Sequence, residues 1–126
     1  MPLLILMLHK SSLITVDVFR LGEEYAEIAE RALTVPGSTE ELMSLIEYVQ
    51  GVENETVVEM EDRIRIVMAY MLFLADYTAY SPIEMKHNSI TLQWYNRMPS
   101  VFDENRAMCE QKTVEFQEAL KVLSSS

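Results

Sequence analysis

Apolar residues recur along this chain at helical rather than strand spacing. Val18, Leu21, Tyr25, Ile28, Ala32 and Val35 follow one another at steps of three and four, the stripe of a helix that lies on a neighbour. Glu23, Glu24, Glu27 and Glu30 fall on other faces, and Pro36-Gly37 predicts the end of this helix. Ser38-Thr39-Glu40-Glu41 then reads as a capping box. The Ser38 hydroxyl accepts from the Glu41 amide, and the Glu41 carboxylate reaches back to the Ser38 amide. Leu42, Leu45, Ile46 and Val49 form the next stripe. Gly51, with no Cβ to clash, predicts a left-handed stop.

Thr56 to Glu59 reads as a second capping box opening a third helix, with Met60, Ile64, Val67 and Met71 on one seam. Leu72, Phe73, Leu74, Ala75 and Tyr77 make its last two turns apolar on most sides, which predicts deep burial there. Ser81-Pro82-Ile83-Glu84 is a third box, with Pro82 at a first helical position where its missing amide costs nothing. A short helical turn through Lys86, a short helix over 90–97 carrying Leu92 and Trp94, and a last helix opening at Pro99 follow. In that last helix Phe102, Asn105, Cys109, Lys112, Phe116, Ala119 and Leu123 keep the rhythm. Asn105 and Lys112 occupy core-type positions, where polar residues fix register and cost stability. Ser124 to Ser126 stop without a cap, as in a cut chain.

The fold class expected is all-α: an elongated bundle or array of four to five helices with short connections. Only residues 13–18 hint at strand alternation. The apolar run 3–8 is too short to span a bilayer and lacks the basic start of a secretory signal. It fits a buried strand or helix start, a weak membrane contact, or a segment foreign to the rest. The structural weight falls on Phe73, Tyr77, Pro82, Trp94, Pro99 and Phe102, with the Trp94 cluster holding helices at a fixed angle.

Length and charge narrow the function. The chain has 126 residues, the size of one domain, and a net charge of −10. Such a surface repels phosphate backbones and anionic membranes, so neither nucleic acid nor membrane is an expected partner. The single cysteine, Cys109, can form no internal disulfide and suits a cytosolic compartment.

Little in the chain suggests chemistry. Gly22, Gly37 and Gly51 are too far apart for a phosphate-binding loop. His9, His87 and Cys109 have no metal-ligand spacing, so no metal or other cofactor is expected. His87 reads as a surface residue near a helix C-terminus, and Cys109 as a structural thiol. Acidic pairs such as Glu40/Glu41 and Asp103/Glu104 sit near helix starts, where they oppose the macrodipole. Asp76, amid apolar residues, needs solvent or a donor such as Lys86 or Arg97. Asn54-Glu55-Thr56 matches a glycosylation sequon, but helix entry explains it. No catalytic residue is expected.

A set of local patterns over residues 25–120 resembles axonemal dynein heavy chains, in the tail just before the linker. In order they are Glu27-Ile28-Ala29-Glu30-Arg31-Ala32-Leu33 with Pro36, then Thr39 to Tyr48. Leu72-Phe73-Leu74-Ala75-Asp76-Tyr77 and Ser81-Pro82 come next. Asn88-Ser89, the Trp94 cluster with Arg97 and Pro99, and Phe102-Asp103-Glu104-Asn105 complete the series. The resemblance implies a fragment of a minus-end-directed microtubule motor of cilia or flagella. Its partners would be the rest of the heavy chain and dynein intermediate and light chains, in the cytoplasm, the cytoskeleton and the axoneme. The motor's ATPase ring motifs are absent, so the segment is expected to be non-catalytic. Residues 18–126 would lead toward the linker, and residues 1–17 do not fit the family. The rival expectation is a free-standing acidic helical adaptor for a basic protein partner.

Overall fold

The computed structural model describes the backbone of residues 2–75, 80 and 82–125, and the side chains within 16–73, 75, 80 and 82–124. The elements are α1 (Pro2–Ala32), α2 (Thr39–Gly51), a π-helical turn (Val52–Thr56), α3 (Val57–Leu74) and α4 (Pro82–Ser125). The all-α class is as expected, but the helices are fewer and longer. The segment 39–74 is one unbroken helical rod, and α4 absorbs the short turn through Lys86, the short helix over 90–97 and the last helix expected from Pro99.

Helix α1 includes residues 13–18, so the hint of strand alternation there is overturned. The backbone of 3–8 is helical too, while its side chains lie outside the described residues. Val18, Leu21, Tyr25, Ile28 and Ala32 are all buried, whereas Val35 is exposed. The cause is Pro36, which bars Val35 from the helical region. The helix therefore ends at Ala32, and Val35 leaves the stripe. The last turn closes locally: the Thr34 hydroxyl donates to the Glu30 carbonyl at 2.7 Å.

At the start of α2 the capping box forms with one change. The Glu41 amide donates to Ser38 Oγ at 3.1 Å, but the Glu41 carboxylate accepts from the Gly37 amide at 2.7 Å, not from Ser38. Ser38 is extended (φ −149°, ψ 164°). Successive amides of extended backbone face opposite sides, and it is the Gly37 amide that meets the carboxylate.

The stop at Gly51 and the box at Thr56 are both overturned. Gly51 is right-handed helical (φ −63°, ψ −42°), and Thr56 is helical with no side-chain cap. The reason lies in the buried positions Leu42, Leu45, Val49, Val52, Val57, Met60, Ile64 and Val67. All steps are three or four except the five from Val52 to Val57. In an α-helix five residues overshoot a full turn by about 140°. One wide turn absorbs the extra residue, closed by the Val57 amide on the Val52 carbonyl. Both halves of the rod thus keep one face to the core.

That single buried stripe explains a further departure. Tyr70, Leu72 and Phe73 are exposed rather than deeply buried. Met60, Ile64 and Val67 face the partners, so apolar residues elsewhere on the circumference must face outward. Beyond α3, the Tyr80 hydroxyl donates to the Met71 carbonyl at 3.1 Å.

The rods pack as a three-membered bundle in which each rod touches the other two. Arg31 stacks on Tyr48 at 3.8 Å, while Arg63 pairs with Asp17 and Glu24. The 39–74 rod therefore runs antiparallel to α1. It is antiparallel to α4 as well, since Glu53 meets Arg106 while Val57 and Glu61 lie across from Tyr95 and Met98. Helices α1 and α4 run parallel. Thr91 bonds to Val18, and fourteen residues further along each helix Asn105 bonds to Ala32.

Candidate functional site

Two features stand out: the interlock between α1 and α4, and a cavity beside it. The interlock begins at Gly22. A Cβ built there would lie 2.7 Å from Thr91 Oγ1, so only glycine permits this approach. The Thr91 hydroxyl donates to the Val18 carbonyl at 2.8 Å, fully buried. At the other end Asn105 Nδ2 donates to the Ala32 carbonyl at 2.7 Å, also buried. A helix continued past Ala32 would need the amide of residue 36, and Pro36 has none. Asn105 supplies the missing donor. Between these bonds Leu21, Tyr25, Ile28, Met98, Val101 and Phe102 fill the seam.

Charged pairs flank the seam. From α3, Arg63 reaches Asp17 at 3.0 Å and Glu24 at 2.9 Å on α1. Arg106 holds Glu53 at 2.9 and 3.1 Å and Asp103 at 2.7 Å. These groups are partly or largely exposed, so water and salt screen the pairs and little stability comes from them. They set orientation more than stability.

The cavity has a volume of about 420 Å³ and lies where α1, the 39–74 rod and α4 meet. Tyr25, Tyr95 and Phe102 are its aromatic lining residues. Glu53, Glu61, Asp103 and Arg106 bring three carboxylates against one guanidinium. The Tyr25 hydroxyl is buried with no hydrogen-bond partner among the described residues. Burial first, and then the nearby Glu61 and Tyr95, push its pKa up to about 12. A larger, more apolar groove of about 650 Å³ runs between α2 and α4, beside Ile46, Val49, Cys109 and Val114.

The residues singled out in the sequence are dispersed. Phe102 is in the core. Trp94 is half-buried against it, with Arg97 5.1 Å over its ring. Pro99 lies inside α4 rather than at a helix start, and borders the cavity. Pro82 opens α4, while Phe73 is more than half exposed. Tyr77, Asp76 and the Ser81 cap lie outside the described residues. His87 is half-buried in the first turns of α4 and meets Phe19 edge-on at 4.8 Å. It is not near a helix C-terminus, because no helix ends there. Asn54 stands within the π turn, so helix entry does not explain the sequon. Lys112 is half-buried and pairs with Glu115 at 2.9 Å, and Ala119 and Leu123 are exposed. Cys109 is buried, and burial pushes its thiol pKa up. Among the described residues no cluster of His, Cys, Asp and Glu is placed to hold a metal, and no helix is long and apolar enough to cross a membrane.

Reasoning from sequence missed Thr91, Gly22 and Tyr25 as functional positions. A small residue on α1 was visible at Gly22, but nothing local ties it to Thr91. No protein-family model matches the chain, and no solved structure matches it. Among known proteins it is similar to the human dynein axonemal heavy chain 12, 32% identical over 87 residues. The mouse and rat proteins of that name are each 31% identical over the same length. The aligned stretch is 69% of this chain but 3% of each relative. The similarity supports a relationship to axonemal dynein heavy chains.

Proposed function

We propose that this chain is a non-catalytic helical segment of the axonemal dynein heavy-chain type, from the tail that leads toward the linker. In this reading it transmits load between neighbouring parts of a microtubule motor in cilia or flagella. Dynein intermediate and light chains are its partners there. The observation that carries the mechanical part is the parallel α1–α4 pair, pinned at two points by buried hydrogen bonds. Sliding one helix along the other would break both bonds at once and strand buried polar groups, each costing about 1–3 kcal/mol. A pair held in this way resists shear along its axis.

The test is localisation together with turnover. The tagged chain, expressed in a flagellated cell, should enter the axoneme and co-extract with dynein intermediate chains, and the purified chain should hydrolyse no ATP. A diffuse cytoplasmic distribution without dynein subunits, or measurable ATP hydrolysis, would overturn the reading.

A further inference from the structure

The chain holds 20 carboxylate side chains in 126 residues, yet none falls between Glu84 and Asp103. That stretch lies in the first half of α4 and carries Lys86 and Arg97 instead. Neither cation has an ion-pair partner among the described residues. An acidic chain thus presents one length of helix with the opposite charge.

Ile83, Lys86, Ile90, Trp94 and Arg97 follow one another at steps of three and four, so they form a single stripe along α4. Ile83 is 68% exposed and Ile90 38%. Trp94 is half-buried, and the exposed Arg97 stands 5.1 Å over its ring. Phe19 of α1 is 43% exposed and adjoins the stripe through its contact with His87. Apolar side chains gathered in the open mark a contact surface, whereas scattered ones do not. Tryptophan and arginine are among the side chains that most often anchor such contacts.

The charge pattern selects the occupant. At physiological salt, exposed charges act over about 8 Å. A small partner therefore responds to Lys86 and Arg97 rather than to the net charge of −10. Nucleic acid or a membrane would extend past the stripe onto the acidic remainder. A second copy would bring two acidic bodies together. A single short helix meets the stripe alone. From Ile83 to Arg97 the stripe runs about 21 Å, or about four turns, and its two cations stand about three turns apart.

We propose that this face of α4 docks an acidic amphipathic helix of a partner protein. The apolar side of that helix covers Ile83, Ile90 and Trp94. Two of its carboxylates, about three turns apart, meet Lys86 and Arg97. This docking does not depend on load transmission by the α1–α4 pair.

Trp94 is the one tryptophan of the chain, so its emission reports on the face directly. The probe is a tryptophan-free peptide of about four turns, held helical by a lactam bridge on its outer side. It carries leucines on one face and a pair of glutamates about three turns apart. Its counterparts carry glutamine or lysine in place of both glutamates. Titrated into the full chain, the glutamate peptide should shift Trp94 emission to the blue and saturate. The glutamine peptide should bind about tenfold more weakly, and the lysine peptide more weakly still. Arg97→Gln should weaken the glutamate peptide about threefold. Replacing both Lys86 and Arg97 with glutamate should reverse the preference in favour of the lysine peptide. Arg65→Gln, on α3, should leave binding unchanged. All variants should keep the helical circular dichroism of the parent. Absence of a saturable shift would overturn the proposal. So would equal binding of the glutamine peptide, an indifferent Arg97→Gln, or tighter binding of polyuridylate or of phosphatidylserine vesicles at Trp94. A Trp94 shift that grows with the concentration of the chain alone, with a dimer in sedimentation, would overturn it in favour of a second copy.

Discussion

Asn105 lies 73 residues after Ala32, and its side-chain amide closes on the Ala32 carbonyl at 2.7 Å, where Pro36 has no amide to give. Thr91 meets Val18 at the same separation. The two bonds stand about 21 Å apart along the seam, so α1 and α4 hold one register over two heptads. Replacing Asn105 with Ala should cost about 2–3 kcal/mol. Thr91→Val should cost about 1 kcal/mol. At this distance the double variant should be additive within about 0.5 kcal/mol. Urea melts of the four proteins check all three values.

Two glycines should respond in opposite directions. Gly22→Ala forces a Cβ onto Thr91 Oγ1 and should destabilise by about 1–3 kcal/mol. Adding Thr91→Ala should recover part of that loss by removing the clashing oxygen. Gly51→Ala meets nothing within 4 Å at a helical position and should stabilise by about 0.4–1 kcal/mol. Thermal midpoints of the variants would show the contrast.

Tyr25 makes stability fall at high pH. Its pKa is raised to about 12 in the folded chain, against about 10 when unfolded. The native state therefore keeps a proton that the unfolded chain loses. The resulting stabilisation is complete below pH 10 and disappears as pH rises toward 12, a change of about 2–3 kcal/mol. Denaturation midpoints measured from pH 9 upward should decline less steeply in Tyr25→Phe. At neutral pH that variant, which deletes an unpaired buried hydroxyl, should be as stable as the parent or more so.

Trp94 packs against the core on one side only. Trp94→Ala should cost about 1–3 kcal/mol, less than the loss expected for a fully enclosed ring. A urea midpoint equal to the parent's would show that the indole contributes no packing.

Cys109 should resist modification in the folded chain. It is buried, and its pKa is raised by that burial, so little thiolate forms near neutral pH. Labelling by a disulfide reagent should be slow in buffer and rapid in concentrated urea. Equal rates would place the thiol at the surface.

The sequence carried the burial of α1 openly, because Val18 to Ala32 repeat at steps that only a helix aligns. It carried Asn105 as well, as a polar residue at a seam position. What it concealed follows from competition between local and distant forces. Gly51 and the Thr56 box are local stop signals, yet the packing of Val52 and Val57 overrides them. The uneven step between those two valines was the visible trace of the wide turn. Pro99 looked like a helix start, but packing of Met98, Val101 and Phe102 carries α4 through it. The Thr91–Val18 bond and the Tyr25 cavity had no trace, since both depend on residues from separate rods.

The π turn between Val52 and Val57 has an implication for how this rod could change length. Deleting one residue there, such as the exposed Asn54, would turn the step of five into four. The rod would heal into uniform α-helix with both ends still aimed at their partners. The same deletion one turn to either side would rotate half of the rod away from the bundle. The wide turn is thus an expansion joint, the place where the chain can lose a residue without losing its fold.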